Sequence, residues 1–395
     1  METTERPVAR VDRAFMTGGA VLLVLGIVAT AIGLMGKEHM MEELAHSYTF
    51  AWVFWATLTF GCFGMSLLFH VTRGRWGTPI LRIFEAGGGP LALAITFITL
   101  IPIVTVFKDT LYGGWLHPAP GDEILANKAG YLNYPFFLAR LAVYAAVTIG
   151  WAAAMKKWTR LEETTGDKKY SDKRNNWGAP GIVVHIIVMN FMMTDIVMSL
   201  DPHWYSTMYG VWFVIGNSLA AMGLATAIAA GNSKKAPYHA VVDDQMKKDF
   251  GNLMLMLTML WAYFSFSQFL IIWSGNLPEF ISYYVNRSRG AFNFVGFLMI
   301  IGQFLIPFLL LLSPRAKRTV QFLAFIGGWV FLMRVFDLYY NVMPFFRESA
   351  MPHVSDFGLL ALMGGVWLLV FGSQFRTAPP VTAAHPYLKE AVDHA

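Results

Sequence analysis

The sequence predicts an all-α integral membrane protein: ten transmembrane helices, arranged as two parallel four-helix bundles (spans 2–5 and 6–9) with a flanking helix at each end. Three observations predict it. Hydrophobic residues make up 56% of the chain, charged residues 14%, and mean hydropathy is +0.48, whereas soluble domains carry about 25% charged residues. Ten stretches approach the roughly 20 apolar residues a helix needs to cross the hydrocarbon. Lysine and arginine gather between these stretches in alternate segments. The net charge of +5 is therefore no nucleic-acid signal, because the basic residues are not collected on one face.

The spans fall near 15–35, 49–69, 86–107, 135–155, 180–200, 207–230, 250–272, 291–312, 319–340 and 356–376. Membrane strands would be half as long and would alternate apolar with polar. Span 1 follows Arg6, Arg10 and Arg13, and Ala29-Thr30-Ala31 imitates a signal cleavage site. Its apolar run exceeds the roughly 7–15 residues of a signal h-region, so a retained first helix is expected. Cys62, the single cysteine, lies inside span 2. That excludes a disulfide framework, a thiolate iron–sulfur site and a CxxCH haem attachment in this chain.

Orientation follows from the basic residues. With the N-terminus inside, 22 of the 30 lie in inner segments and 6 in outer loops, the remaining two being Arg140 and Arg334 within spans. Both termini are expected in the cytoplasm. The most charged segment, 156–178, reads as a solvated inner connector. The outer loops 108–134 and 273–290 are aromatic, Gly- and Pro-rich and poor in charge, which fits either an interfacial belt or a surface covered by a partner.

Charge inside a span has to be offset. An ionised carboxylate at a helix centre costs roughly 2.5–3.5 kcal/mol even on lenient insertion scales. Counted inward at about 1.5 Å per residue, Arg140 in span 4, Asp195 in span 5, and Arg334 and Asp337 in span 9 share the outer third, with Gln268 and the neighbouring Ser265 and Ser267 in span 7. Two acids with two guanidinium groups are neutral as a set, and one coupled cluster is expected. It reads equally as a structural clamp and as part of a substrate site or proton relay. A thinner inner layer holds His70, Glu85, His185 and Gln303. His185 is expected to be hydrogen-bonded structure or the inner part of a proton route. His70 and His185 are the one conceivable axial pair for a b-type haem, and His70 falls at the membrane surface.

Spans 5 and 9 hint at duplication. Asp195 in "TDIVMSLDP" and Asp337 in "FDLYYNVMP" each stand seven residues before a proline. They close consecutive four-span groups, and an even span number makes such repeats parallel. The chain accordingly divides into 1–48 (N-terminal segment and first helix), 49–206 and 207–346 (the two bundles), and 347–395 (last helix and tail).

Two four-helix groups with an extra helix at each end resemble the NrfD/polysulfide-reductase type of membrane subunit. The motifs "GAPGIVVHIIVMNFMMTDIVMSLDPHWYSTMYGVWFVIG" (178–216) and "WSGNLPEFISYYVNRSRG" (273–290) resemble the ActF-type subunit of bacterial alternative complex III, with the ActC type as nearest competitor. The resemblance spans nearly the whole chain. It implies a bacterial inner-membrane subunit of a quinol:electron-acceptor oxidoreductase, a respiratory or photosynthetic complex that passes electrons to cytochrome c or another periplasmic acceptor. Its partners would be a sister NrfD-like subunit, an iron–sulfur protein and c-type cytochromes, which carry the clusters and haem c. This chain would bind no metal or redox centre itself, with menaquinol or another quinol as the possible ligand. Under that reading Arg140, Asp195, Arg334, Asp337 and His185 are candidates for a proton path, and Gln268 and Tyr339 for a quinol pocket. The alternative is a stand-alone secondary transporter. Pro102 and Pro307 interrupt spans 3 and 8, but these do not correspond under the four-span repeat.

Overall fold

The computed structural model describes residues 10–381. It contains ten helices long and apolar enough to span a membrane: Val11–Leu34, Met40–Thr72, Leu81–Thr105, Tyr134–Thr165, Lys169–Leu200, Tyr209–Gly231, Asp244–Gly275, Gly290–Leu312, Val320–Phe345 and Val354–Phe375, here spans 1 to 10. The sequence placed all ten. Most run further than their apolar cores because polar residues at their ends stay helical and cap them. Asn133 accepts from the Phe136 amide at 3.0 Å to begin span 4, and Asp243 accepts from the Met246 amide at 2.6 Å to begin span 7.

The helices pack as two closed rings of four. Span 2 meets span 3, 3 meets 4, 4 meets 5 and 5 returns to 2; span 6 meets 7, 7 meets 8, 8 meets 9 and 9 returns to 6. Span 6 also lies against spans 2 and 5, joining the rings, and spans 2 and 6 are the most buried of the ten. Lipid is as apolar as leucine, so close approach of backbones, not water exclusion, holds such helices together. At the 6–9 contact a Cβ on Gly223 or Gly327 would fall 2.7 or 2.6 Å from the other's carbonyl oxygen. Span 3 breaks at Gly88-Gly89 and restarts at Pro90, whose missing N–H costs nothing at a helix start. A Cβ at Gly88 would come 2.2 Å from the Phe63 amide, so the break is also where span 3 approaches span 2.

One connector differs in part from expectation. Segment 156–178 is helical rather than a loop: span 4 continues to Thr165, Gly166 turns the chain at φ +66°, and span 5 begins at Lys169. Arg174 is buried there, paired with Glu162 and donating to Thr159 Oγ1 at 3.0 Å. The segment's other charges, Lys157, Arg160, Lys168, Lys169, Asp172 and Lys173 among them, are exposed as expected; Arg174 and Glu162 are not, because each finds its partner on the facing helix. On the opposite, charge-poor face, the two long loops fold into short helices, Lys108–Leu116, Glu123–Lys128 and Pro278–Arg287.

Span 1 lies outside both rings and packs almost entirely on span 10. A Cβ at Gly26 would sit 2.3 Å from the Leu362 amide nitrogen. Gly26→Val is therefore expected to prise span 1 from span 10 at about 1–3 kcal/mol. Loss of a disulfide crosslink engineered between the two helices, with the rest of the fold intact, is the measurement.

Candidate functional site

Asp195 is fully buried near the charge-poor end of span 5. Arg140 on span 4 grips it with two bonds, Nε to Oδ2 at 3.0 Å and Nη2 to Oδ1 at 2.8 Å, and the Tyr144 hydroxyl donates to Oδ2 at 2.8 Å. Tyr144 stands one helical turn beyond Arg140, so one face of span 4 supplies all three donors. Arg140 also donates to the Tyr131 carbonyl at 2.9 Å and lies over the Tyr131 ring at 3.8 Å. Fork geometry and full partnering make this pair a tie between spans 4, 5 and the 108–134 loop.

Asp337 occupies the corresponding position in span 9, and its partners differ. Arg334, one turn earlier on the same helix, pairs with Oδ2. Trp261 Nε1 of span 7 donates to Oδ2 at 3.0 Å, and Asn341 Nδ2 to Oδ1 at 3.1 Å. Arg334 Nη2 reaches Asn217 Oδ1 of span 6 at 2.7 Å, while Arg334 Nε and Asn217 Nδ2 have no partner among the described residues. A Cβ at Gly216 would come 2.2 Å from Arg334 Nη1, so a glycine makes room for the guanidinium. This pair is buried and incompletely satisfied. Buried polar groups left so are costly and usually have a reason to persist.

The expected four-member cluster is thus two separate pairs, one per ring. No hydrogen bond or ion pair joins them among the described residues. The acid recurs in both repeats, but the arginine does not: it comes from the preceding helix in one ring and from the acid's own helix in the other. Depth along a helix is legible in sequence; direction around the ring is not.

His185 is buried in the first ring against Phe60 and Phe63, and its Nδ1 has no partner among the described residues. A Cβ at Gly64 would lie 2.7 Å from its Nε2, so the imidazole packs directly on span 2. Among the described residues, no hydrogen bond connects it to either pair. Gln268 and Tyr339 do not form one pocket. Gln268 accepts from Ser206 Oγ at 2.7 Å and lines a cleft with Tyr205, Thr207, Ile271 and Phe280. Tyr339 is wedged between Phe50 and Phe292, with its hydroxyl 3.4 Å from the Ala350 carbonyl oxygen. Gln303, flagged only by depth, is fully buried with neither amide atom partnered among the described residues.

Other polar centres, Glu85 and His70 apart, escaped sequence reading. Arg287, an apparent loop charge, is 2% exposed, stacks on Tyr283 at 3.4 Å and donates to the Tyr340 and Asn341 carbonyls at 3.1 and 2.6 Å. It closes the charge-poor end of span 9 by satisfying carbonyls that a helix terminus leaves open. Arg347 ties Glu43 and Asp356 together at 2.7 Å each, and His353 Nδ1 lies 2.5 Å from Glu43. On the basic face, Arg82 bridges Glu85 and Glu163 beside a cavity of about 70 Å³ lined also by Ser66, His70, Lys156 and Thr159. The one available clue was spacing: Tyr144 and Asn341 stand four residues after Arg140 and Asp337. Among the described residues, no group of three or more His, Cys, Asp or Glu is placed to hold a metal ion.

Comparison with family models finds no match, and comparison with curated proteins finds no relative. Fold and site define a multi-pass helical membrane protein with a charged pair buried in each ring.

Two outcomes follow. Asp195→Ala or Asp337→Ala strands a buried arginine and should cost about 3–5 kcal/mol. Because the pairs share no partner, the milder Asp195→Asn and Asp337→Asn losses should add within about 0.5 kcal/mol, whereas one coupled cluster would show a larger interaction. Denaturant melts of single and double variants check both.

At the charge-poor surface, Asp122 caps Glu123–Lys128, accepting from the Leu125 amide at 3.0 Å, with His203 Nε2 at 2.7 Å. The amide first, and His203 next, hold its carboxyl below the usual carboxylate range. The depressed value means the folded loop favours the ionised form. Its contribution is complete above the ordinary carboxylate value of about 4 and is lost as pH falls through the lower folded value. Proteolysis of the 117–134 loop should therefore quicken in acid, and Asp122→Ala should remove that acid dependence.

Proposed function

We propose that this chain is the ActF-type, NrfD-like membrane subunit of a quinol:electron-acceptor oxidoreductase in a bacterial inner membrane, with both termini cytoplasmic. It provides the membrane scaffold and a proton path, while an iron–sulfur protein and c-type cytochromes carry the electrons from menaquinol or another quinol. The carrying observation is the Arg334–Asp337 pair, fully buried in the second ring yet with Arg334 Nε and the neighbouring Asn217 Nδ2 unpartnered. The resemblance of 178–216 and 273–290 to that subunit supplies the complex.

The chemistry asked of the pair is small. Burial favours a neutral carboxylic acid and an adjacent guanidinium favours the carboxylate, so the proton affinity of Asp337 depends on the position of Arg334. Trp261 and Asn341 donate to the carboxylate and orient it. Arg334 can shift without leaving a fully made set of bonds, because its set is incomplete. Arg140 cannot: moving it breaks the fork on Asp195 and the bond to Tyr131 together. The geometry therefore favours Asp337 as the proton-carrying acid and Asp195 as the clamp.

The test is Asp337→Asn in the assembled complex reconstituted in liposomes. Assembly should persist while quinol-driven proton release falls at least about tenfold, in line with loss of a positioned acid–base group. Asp195→Asn should lower yield and melting temperature and leave turnover per assembled complex near wild type. Co-purification of the chain with multihaem cytochrome and iron–sulfur protein supports the complex. Solute flux by the isolated chain, without those partners, would favour a stand-alone transporter and sink the proposal.

A further inference from the structure

Span 4 carries two cations on one face of its basic end, Lys156 and Arg160, and both line the cavity of about 70 Å³ beside Arg82. They stand four residues apart, so they are neighbours on the helix surface and repel one another. The two carboxylates at the cavity do not relieve them, because Arg82 bridges Glu85 and Glu163. Lys156 Nζ donates to Gln374 Oε1, a neutral amide at the end of span 10. Among the described residues, no carboxylate pairs with Lys156 or Arg160. The cavity therefore keeps two positive charges that its own acids leave unmatched.

An apolar groove starts about one turn further along span 10. Span 10 packs closely on the first part of span 3, Leu81–Gly87, and far less on the part beyond the break, Pro90–Thr105, while both helices stay on span 2. Val366 and Val370 wall the groove on one side, Ala92 and Ile95 on the other, and Trp52 and Trp55 form its floor. Ile95, Val366 and Val370 are partly exposed, so the groove is open along its side. Leu362, Val366, Val370 and Gln374 recur every fourth residue, one ridge leading back to the amide that Lys156 holds. That ridge is about 18 Å long, close to one leaflet of the roughly 30 Å hydrocarbon core. Every side-chain donor lining the groove is engaged. Trp52 Nε1 donates to the Thr96 carbonyl at 3.0 Å, Trp55 Nε1 to Leu360 at 2.8 Å and the Tyr48 hydroxyl to Thr99 at 2.8 Å. Thr96 and Thr99 donate back along their own helix, and Trp367 Nε1 donates to Thr59 Oγ1 at 2.9 Å. The groove suits a hydrocarbon chain, and a polar ring would find no free donor in it.

We propose that this seam binds one anionic phospholipid, its phosphate between Lys156 and Arg160 and one acyl chain in the groove between spans 3 and 10. Basic pockets between membrane helices recognise such headgroups by charge. A zwitterionic headgroup would bring an ammonium group against two cations whose neighbouring acids are already taken by Arg82. The lipid would supply the counter-charge that span 4 lacks and fill the gap that span 3 leaves when it parts from span 10. The site stands on the charges and packing of spans 2, 3, 4 and 10, and it holds whether or not the chain moves protons.

The test is photolabelling of the full-length chain in phosphatidylethanolamine nanodiscs. A trace of lipid with a diazirine on one acyl chain is added, either phosphatidylglycerol or phosphatidylethanolamine, and labelled peptides are identified by mass spectrometry. Peptides bearing Ile95 and Val370 should take up the phosphatidylglycerol label about tenfold more than the phosphatidylethanolamine label, in line with two cations at the headgroup. The peptide bearing the exposed Met256 and Met259 of span 7 should take up both alike. Lys156→Gln combined with Arg160→Gln should reduce groove labelling by phosphatidylglycerol to the phosphatidylethanolamine level. Val366→Trp, which fills the groove and leaves both cations, should also reduce it. Equal labelling of the groove by the two lipids in the native chain would overturn the site, as would undiminished phosphatidylglycerol labelling in either variant. Val366 is partly exposed, so Val366→Trp decides the matter even where the charge variant fails to fold. Inorganic phosphate that abolishes the preference where chloride of equal ionic strength does not would make the ligand a free phosphate and overturn the lipid. A groove labelled by neither lipid would show it covered by protein, with the same consequence.

Discussion

A carboxylate inside a membrane helix must meet its counter-charge before the helix can stay there, and in this protein that requirement is met once in each ring. Asp195 is met from the neighbouring helix by Arg140, and Asp337 from its own helix by Arg334. Bringing Arg140 to Asp195 fixes the rotation of span 4 against span 5, and Tyr131 and Tyr144 then follow from the same face. Bringing Arg334 to Asp337 fixes nothing between helices. That work falls to Asn217 of span 6 and Trp261 of span 7, and the glycine at 216 leaves the guanidinium its space.

The difference has consequences for rigidity. A bidentate pair with every donor used is stiff, because any displacement breaks several charge-assisted bonds at once. A pair with spare donors in a low-dielectric interior has a second arrangement close at hand. On the function proposed above, the first ring serves as a strut and the second as the place where charge is rearranged. The second ring also contains a π-helical turn, Ile300–Leu305 of span 8. Such turns insert one residue into a helix and re-aim side chains, here Gln303.

Around the rings, cohesion comes from smallness. Gly223 and Gly327 bring spans 6 and 9 into backbone contact, Gly88 brings span 3 onto span 2, and Gly26 lets span 1 lie against span 10. Span 1, outside both rings and apolar on its free side, depends on that one seam. The ends are closed by charge: Arg287 and Arg347 on one face, Arg82 and Arg174 on the other, each pinned by carbonyls or carboxylates from a different segment.

By itself the sequence determined the class of fold, the ten spans and the level along their helices of the four charges within them, Arg140, Asp195, Arg334 and Asp337. Hydropathy is a local sum, and depth along a helix is residue count times rise, so neither needs to know what lies opposite. The partners were decided by tertiary structure. Arg140 and Arg334 are both arginines at similar depth beside an aspartate, and only helix rotation makes one a cross-helix clamp and the other an intrahelical pair. The same holds for segment 156–178, whose charges are buried or exposed according to the facing helix, and for Gln268 and Tyr339, which share a level without sharing a pocket. Where two side chains meet depends on azimuth as well as height, and azimuth is set by how glycines and bulky residues from every helix pack at once.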